Sequence, residues 1–234
     1  MIPNRSLVFC GWCGIATILL MVIGLGPVAQ MSPPPSPTVG AAEIAAHFRQ
    51  NASGILAGSF LVNIAVASSI AFVAGISAQI RHMAFRSAQA LSYVQLAAGT
   101  AASLLLMLPA IILSTAAFRA DRPADVVLVL HDLATFATFL PFSVASLEAW
   151  VIAAAIFCDR SARPTFPRWL GHFNIVAGLS YIPMGLVGMF KSGILASNGI
   201  VGWWIPTMIV GPWYMLMGIY LIRAGRAQPA TSTE

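Results

Sequence analysis

Hydrophobic residues run along this chain in six long blocks that are separated by short polar segments. The blocks cover residues 7–28, 55–78, 90–117, 133–157, 170–190 and 203–222. None of the blocks contains Lys or Arg. A helix rises about 1.5 Å per residue, so roughly 20 residues cross the ~30 Å hydrocarbon core of a bilayer. The pattern therefore predicts an all-α integral membrane protein with a six-transmembrane-helix bundle.

Composition leads to the same class. Of the 234 residues, 59% are hydrophobic and 8% are charged, whereas soluble domains carry about 25% charged residues. So few charges cannot cover a water-facing surface, and we expect lipid to surround most of the chain. The connections are short, which predicts a single transmembrane domain over residues 1–226 and a disordered cytoplasmic tail over 227–234. Its spans could form three helical hairpins.

The distribution of basic residues predicts the orientation. With six spans, one membrane face receives eight of the twelve basic residues, and these are Arg5, Arg81, Arg86, Arg160, Arg163, Arg168, Arg223 and Arg226. Because positively charged loops stay in the cytoplasm, both termini should be cytoplasmic. The same bias explains the net charge of +5, so no nucleic-acid partner is expected.

One residue departs from the apolar pattern. Glu148 lies in SVASLEAWVIAAAIF, nine residues before the end of its block, which places it near the middle of the bilayer. No block supplies Lys or Arg to pair with it, and burial away from water then favours the neutral acid. On its helix it shares one mostly small face with Thr138, Pro141, Ala145 and Ala155.

Polar residues at similar depth on other spans are candidate partners of this acid, because lipid offers them no hydrogen bonds. The predicted site in the bundle comprises Glu148, Asn63, Tyr181 and Tyr214. Secondary candidates at the outer entrance of the fourth span and the cytoplasmic end of the fifth are His131, Asp132, His172 and Asn174. Two interpretations remain open, namely a binding or proton-carrying role for the acid and a neutral hydrogen bond between helices.

Other site chemistry is not predicted. The threading places two of the four histidines on each side of the membrane, and no clustered histidine, phosphate-binding or Ser-His-Asp pattern occurs. We therefore assign no metal, no cofactor and no catalytic residue. The CGWC segment (10–13) has the spacing of a redox dithiol, but within an apolar helix Cys commonly behaves as a small hydrophobe.

Three local patterns bear on the helices themselves. Pro206 and Pro212 predict two breaks in the last span. AAEIAAHFRQ (41–50), after a proline-rich strut, predicts a short helix on the outer membrane surface or an ordered loop. A weak repeat relates LSYVQLAAG (91–99) to LGHFNIVAG (170–178), in which Leu, an amide and Ala-Gly recur.

The segment PRWLGHFNIVAGLSYIPMGLVGMFKSGILASNGIVGWWIP (167–206) resembles an uncharacterised family of bacterial multi-pass inner-membrane proteins. The motifs that carry the resemblance are PRWLG, FKSG and WIP, and they cover about forty residues. The resemblance implies a bacterial inner-membrane location. It implies no activity and no catalytic residues.

Taken together, these patterns favour a protein without covalent chemistry that binds, senses or translocates a small molecule within the bundle. One alternative is a structural or accessory subunit of a membrane protein complex, and another is a membrane-embedded enzyme acting on lipid. The expected partners are the lipid bilayer, a small-molecule ligand, and either other membrane proteins or further copies of the chain.

Overall fold

The computed structural model describes residues 4–227, and within that range it is helical with no strand. Six helical segments are long and apolar enough to cross a membrane, namely Arg5–Val28, Ala52–Arg81, Ala88–Ala117, Ala124–Cys158, Arg168–Met189 and Ile200–Ala227. The predicted all-α, six-helix fold is thus confirmed. Of the tail predicted for 227–234, Ala227 ends the last helix and the rest lies outside the described residues.

Several of the spans are divided into shorter helices. The helices are α1 (Arg5–Ile23, extended by a π-helical turn Gly24–Val28), α2 (Ala41–Gln50), α3 (Ala52–Arg81), α4 (Ala88–Leu105), α5 (Met107–Ala117), α6 (Ala124–Phe139), α7 (Phe142–Cys158), α8 (Arg168–Tyr181, extended by a 3-10 helix Ile182–Met189) and α9 (Ile205–Ala227, preceded by a π-helical turn Ile200–Trp204). The short helix that was one of two interpretations of AAEIAAHFRQ is therefore present as α2.

The spans form a closed ring in chain order. Helix α1 packs against α3, α3 against α4, α4 against α7, α7 against α8, α8 against α9, and α9 against α1. The backbone N–H of Asn4 donates to the carbonyl oxygen of Gly225 at 2.7 Å, so the two ends of the described chain meet at one face. Successive spans are neighbours, as an arrangement of three helical hairpins requires.

Small residues bring the first and last spans close together. A methyl group added at Gly11 would collide with the carbonyl oxygen of Gly218, so the two backbones are in direct contact there. Cys10 of the CGWC segment packs against Gly75, and Cys13 is buried; both thiols are free. The two cysteines therefore act as small packing residues of α1.

Prolines interrupt the half of the bundle that lies away from the termini. A proline has no backbone N–H and clashes with the preceding turn, so a helix bends or ends there. The irregular turns or breaks of the first, third, fourth and fifth spans lie beside Pro27, Pro109, Pro141 and Pro183. Helix α9, in contrast, runs unbroken through Pro212, so the break predicted at that residue is wrong.

The fourth span is longer than predicted. It begins at Ala124, nine residues before the predicted start at 133, because VVLVL (126–130) continues the apolar helix and only Asp125 is charged in the first turn. His131 therefore lies well inside α6 and is buried, where the sequence pattern indicated a polar helix boundary.

Candidate functional site

A cavity of about 280 Å³ lies inside the ring and is lined by residues from all six spans. Its wall is mainly apolar, and residues beside the helix breaks contribute to it, among them Leu106, Pro141 and Met184. The cavity therefore lies in the part of the bundle where the helices are interrupted beside prolines.

Glu148 lies in the wall of this cavity, and its side chain is 6% exposed. The Nε2 of Gln95 on α4 donates a hydrogen bond to its Oε1 at 2.9 Å. Gly99, one turn after Gln95, faces the same carboxyl group, and a methyl group there would collide with Oε1. Glycine at this position therefore makes room for the acid between α4 and α7.

Most of the residues that were predicted to share a helical face with Glu148 lie in the wall of the same cavity. Thr138, Pro141 and Ala145 line the same cavity as the acid, although the break between α6 and α7 falls among them. Ala155 is fully buried about two turns beyond Glu148 and does not line the cavity. Most of this face therefore forms one side of the cavity, next to the acid.

The hydrogen-bonding capacity of the acid is only partly used. Among the described residues, Gln95 is the one group that bonds the Glu148 carboxyl, and it does so at a single oxygen. A neutral carboxyl group also has an O–H to donate, and no described acceptor receives it. Gln95 is itself fully buried, and its Oε1 has no partner in the described part of the chain.

Tyr214, one of the predicted partners, belongs to a chain of hydroxyl groups. Ser103 donates to the carbonyl of Gly99 at 2.8 Å, and it lies 2.8 Å from the Ser69 hydroxyl, which lies 3.0 Å from Tyr214 Oη. Since each hydroxyl has one hydrogen, Ser69 donates to Ser103 and Tyr214 donates to Ser69. The hydrogen of Tyr214 is therefore directed away from Glu148.

Tyr181, the second predicted partner, also lines the cavity. No residue that the structure describes makes a hydrogen bond with its hydroxyl, so this hydroxyl is available as a donor beside the cavity. Both tyrosines lie close enough to Glu148 to interact with it electrostatically. Tyr181, Tyr214 and Glu148 therefore lie in the wall of the same cavity.

Asn63 is not brought to the site. Its Nδ2 donates to the carbonyl of Ser59 at 2.9 Å on the same helix, and its side chain does not line the cavity. The prediction failed because depth in the membrane does not fix the direction in which a side chain points. An amide that bonds the carbonyl four residues earlier does not need to face the bundle interior.

The four secondary candidates do not form a single site. His131 lines the far end of the cavity, 17 residues before Glu148 and roughly 25 Å away along a helical rise. Its Nδ1 lies 3.8 Å from Asp132 Oδ1 and has no hydrogen-bond partner within residues 4–227, while the Asp132 side chain is 58% exposed. His172 is exposed and bonds the carbonyl of Arg168 at 3.1 Å, outside the cavity.

Asn174, the remaining secondary candidate, is fully buried between α8 and α9. Its Nδ2 donates to the carbonyl of Leu170 at 2.8 Å, and its Oδ1 accepts from the indole N–H of Trp213 at 2.8 Å. Donor and acceptor are both used, so this amide joins two helices.

Sequence reasoning missed Gln95 and Ser69. The repeat carried a signal for the first of them, because Gln95 and Asn174 occupy the same place in LSYVQLAAG and LGHFNIVAG, and both are fully buried. Ser69 gave no comparable signal, since serines are frequent in the apolar blocks.

No group of three or more His, Cys, Asp or Glu that could hold a metal ion occurs in residues 4–227. Comparison of the chain with protein-family models, with curated proteins and with solved structures gave no significant match. The class defined here is therefore structural: an all-α bundle with six candidate membrane-spanning helices and an internal cavity that carries a buried acid.

Proposed function

We propose that this chain is a multi-pass inner-membrane protein that binds a small molecule in the cavity of its helix bundle. Binding could serve sensing or translocation of that molecule. The observation that carries the proposal is the unused hydrogen-bonding capacity of Glu148 at the wall of a mainly apolar cavity. Small-molecule sites are usually apolar concavities with a few converging polar groups, and this cavity has that composition.

The alternative role of Glu148, a hydrogen bond that only joins helices, fits the geometry less well. A hydrophobic pair at these positions would pack the two helices without the unpaired O–H of the acid and without the Oε1 of Gln95, which has no partner among the described residues. Buried polar groups without partners cost free energy, about 1–3 kcal/mol each. An arrangement with this cost is expected where a ligand completes the hydrogen bonding.

The proposed orientation places both termini in the cytoplasm. The loops after the second and fourth spans, together with the helix ends that flank them, contain five of the eight arginines on the predicted cytoplasmic side. The two loops contact each other, because Asp159 Oδ1 accepts from the backbone N–H of Ala84 at 3.1 Å. Such a basic face is typical of the cytoplasmic side. Reporter tags at the two ends should both be active in the cytoplasm, and activity of either one outside would contradict this orientation.

The test of cavity binding uses the apolar probe tert-butylbenzene and two variants of α7. Ala145 lines the cavity, whereas Ala154 on the same helix is exposed. A ligand that binds the folded state raises thermal stability, so the probe should raise the Tm of the wild type and of Ala154→Phe. Ala145→Phe fills the cavity and should abolish the shift; Ala145→Leu serves if the larger residue prevents folding.

Equal stabilisation of all three proteins would mean that the probe acts through the detergent or the outer surface. Absence of any shift in the wild type would mean that the cavity does not accept a molecule. Either result would contradict the proposed function and would favour the accessory-subunit alternative, which requires no occupied cavity.

A further inference from the structure

We infer that the ligand of the cavity is a lipophilic organic cation, an amine or ammonium group with apolar substituents, that takes the place of the proton on Glu148. This inference rests on the proposed function, because it names the class of molecule that the same cavity would bind. It is carried by the charges around the acid, by the aromatic wall and by the size of the cavity.

The charges around Glu148 favour a positively charged ligand. No Lys or Arg lines the cavity in the described part of the chain. Among the described residues, the helices packed around the acid place neutral polar groups beside it, namely Gln95 from α4, Tyr181 from the end of α8 and Tyr214 from α9, whose hydroxyl bonds Ser69 of α3. Besides Glu148 and these two tyrosines, the one titratable group that lines the cavity in the described part of the chain is His131 at the far end. An ionised Glu148 therefore lacks a positive partner that the protein itself supplies.

A carboxyl group differs from an amide or a hydroxyl because it can become negatively charged by losing a proton. A neutral ligand that donates a hydrogen bond could be bound equally well by an amide or a hydroxyl, without the cost of burying a carboxyl group. Only a carboxylate can compensate a positive charge in a region of low dielectric. Gln95 and Tyr181 can each donate to that carboxylate, and a ligand cation would complete its neutralisation.

The wall of the cavity is rich in aromatic side chains. Six aromatic side chains line the cavity, and they are Phe139, Phe142, Tyr181, Trp203, Trp213 and Tyr214. Aromatic faces attract cations, and alkylammonium groups are well suited to them because they are weakly hydrated. The remaining wall is mainly aliphatic and suits the apolar substituents of such a ligand.

The volume limits the size of the ligand. The cavity of about 280 Å³ is close to the lower end of the roughly 300–1,000 Å³ that small-molecule sites span. This size suits a compact amine or ammonium compound.

Binding exchanges the proton of Glu148 for the ligand cation. The neutral Glu148 carboxyl group loses its proton to water, the O–H bond is the only bond that breaks, and the cation then pairs with the carboxylate. The net charge in the cavity is zero before and after the exchange. Because the cation competes with a proton, its apparent affinity should rise with pH by up to about ten-fold per pH unit while the empty site is protonated.

The experiment compares two probes of nearly equal shape, phenyltrimethylammonium and the neutral tert-butylbenzene, in detergent solution between pH 6 and 9. The proteins are the wild type, Glu148→Gln, and Glu43→Gln as a matched control, since Glu43 is an exposed glutamate on α2. Binding is measured by thermal shift, and proton release by a pH indicator in weak buffer.

We expect the wild type and Glu43→Gln to bind the cation more tightly as the pH rises, with release of about one proton per cation bound at the lower pH values. Glu148→Gln should bind the cation at least about ten-fold more weakly and without pH dependence. It should bind tert-butylbenzene as the wild type does, which also shows that the variant folds and keeps its cavity.

Two results would overturn the inference while leaving cavity binding intact. One is binding of tert-butylbenzene by the wild type with no pH-dependent binding of the cation. The other is cation binding that Glu148→Gln does not weaken. If neither probe binds the wild type at any pH, the proposed function fails together with the inference. Binding of tert-butylbenzene by the wild type therefore distinguishes failure of the inference alone from failure of the proposed function.

Discussion

Two buried amides occupy matching places in the repeat and have opposite surroundings. Asn174 uses its donor on the Leu170 carbonyl and its acceptor on the Trp213 indole. Gln95 donates to Glu148 and leaves its own Oε1 without a partner among the described residues. Both side chains are fully buried, so the difference does not come from exposure to solvent.

The comparison separates polar groups that hold the bundle together from polar groups that are kept for another purpose. A buried amide with every bond made stabilises the contact between α8 and α9. The pair of Gln95 and Glu148 lies at a cavity and carries unmet bonding capacity. Half-satisfied buried polar groups destabilise a fold, so their presence here agrees with a ligand that completes them.

The largest effect on stability is expected from Asn174→Leu. This change removes two buried hydrogen bonds and leaves the Trp213 N–H unpaired between α8 and α9. We expect a loss of about 1–3 kcal/mol in the free energy of unfolding, measured by denaturation in detergent. Adding Trp213→Phe should recover part of the loss because it removes the unpaired donor. A cost no larger than that of the corresponding change at Gln95 would end the distinction between the two amides.

A somewhat smaller effect is expected at the glycines of the two repeat copies. A methyl group at Gly99 would collide with the Glu148 carboxyl and with Val73, whereas at Gly178 it would meet the ring of Trp150, which is partly exposed and can move. Gly99→Ala should therefore cost about 1–2 kcal/mol in stability.

The ligand distinguishes these two glycine variants further. Gly99→Ala should weaken phenyltrimethylammonium binding by about ten-fold, because it displaces the acid, an effect of about 1.4 kcal/mol. Gly178→Ala is the matched control and should leave binding unchanged. Equal weakening by both substitutions would show that the spacing of the helices, and not the position of the acid, controls the site.

Ser69→Ala should have a smaller effect. It removes the group to which Tyr214 donates and breaks the chain of hydroxyls that ends at the Gly99 carbonyl. A cost of about 0.5–1.5 kcal/mol in the free energy of unfolding is expected. The freed Tyr214 hydroxyl can then donate toward Glu148, so the cation should still bind. Loss of cation binding in a folded Ser69→Ala protein would show that the hydroxyl chain belongs to the binding site.

Much of the fold could be predicted from the sequence, for a simple physical reason. Crossing a bilayer requires about 20 apolar residues, so the six blocks translate directly into six spans. The start of the fourth span was predicted nine residues too late, because His131 and Asp132 resemble a polar helix boundary. In α6 the His131 side chain is buried and the Asp132 side chain is exposed.

The candidate site was predicted only in part, because sequence spacing gives depth more readily than direction. Glu148, Tyr181 and Tyr214 were placed at one level and all line the cavity, whereas Asn63 at a similar level bonds its own helix. The partner Gln95 could have been found from the repeat. The cavity itself could not, since it depends on how several helix breaks combine around one ring.

The central claim is that Glu148 and Gln95 are retained for a ligand and not for stability. The most direct measurement is the free energy of unfolding of the double variant Gln95→Met/Glu148→Met, without ligand, relative to the wild type. Methionine fills a similar volume and adapts its shape to its surroundings, and the change removes the unpaired groups together with their mutual bond. The account predicts a double variant that is at least as stable as the wild type, by up to about 1 kcal/mol, and that no longer binds the cation. A double variant that loses about 2 kcal/mol or more would contradict it, since the pair would then hold the bundle together as Asn174 does.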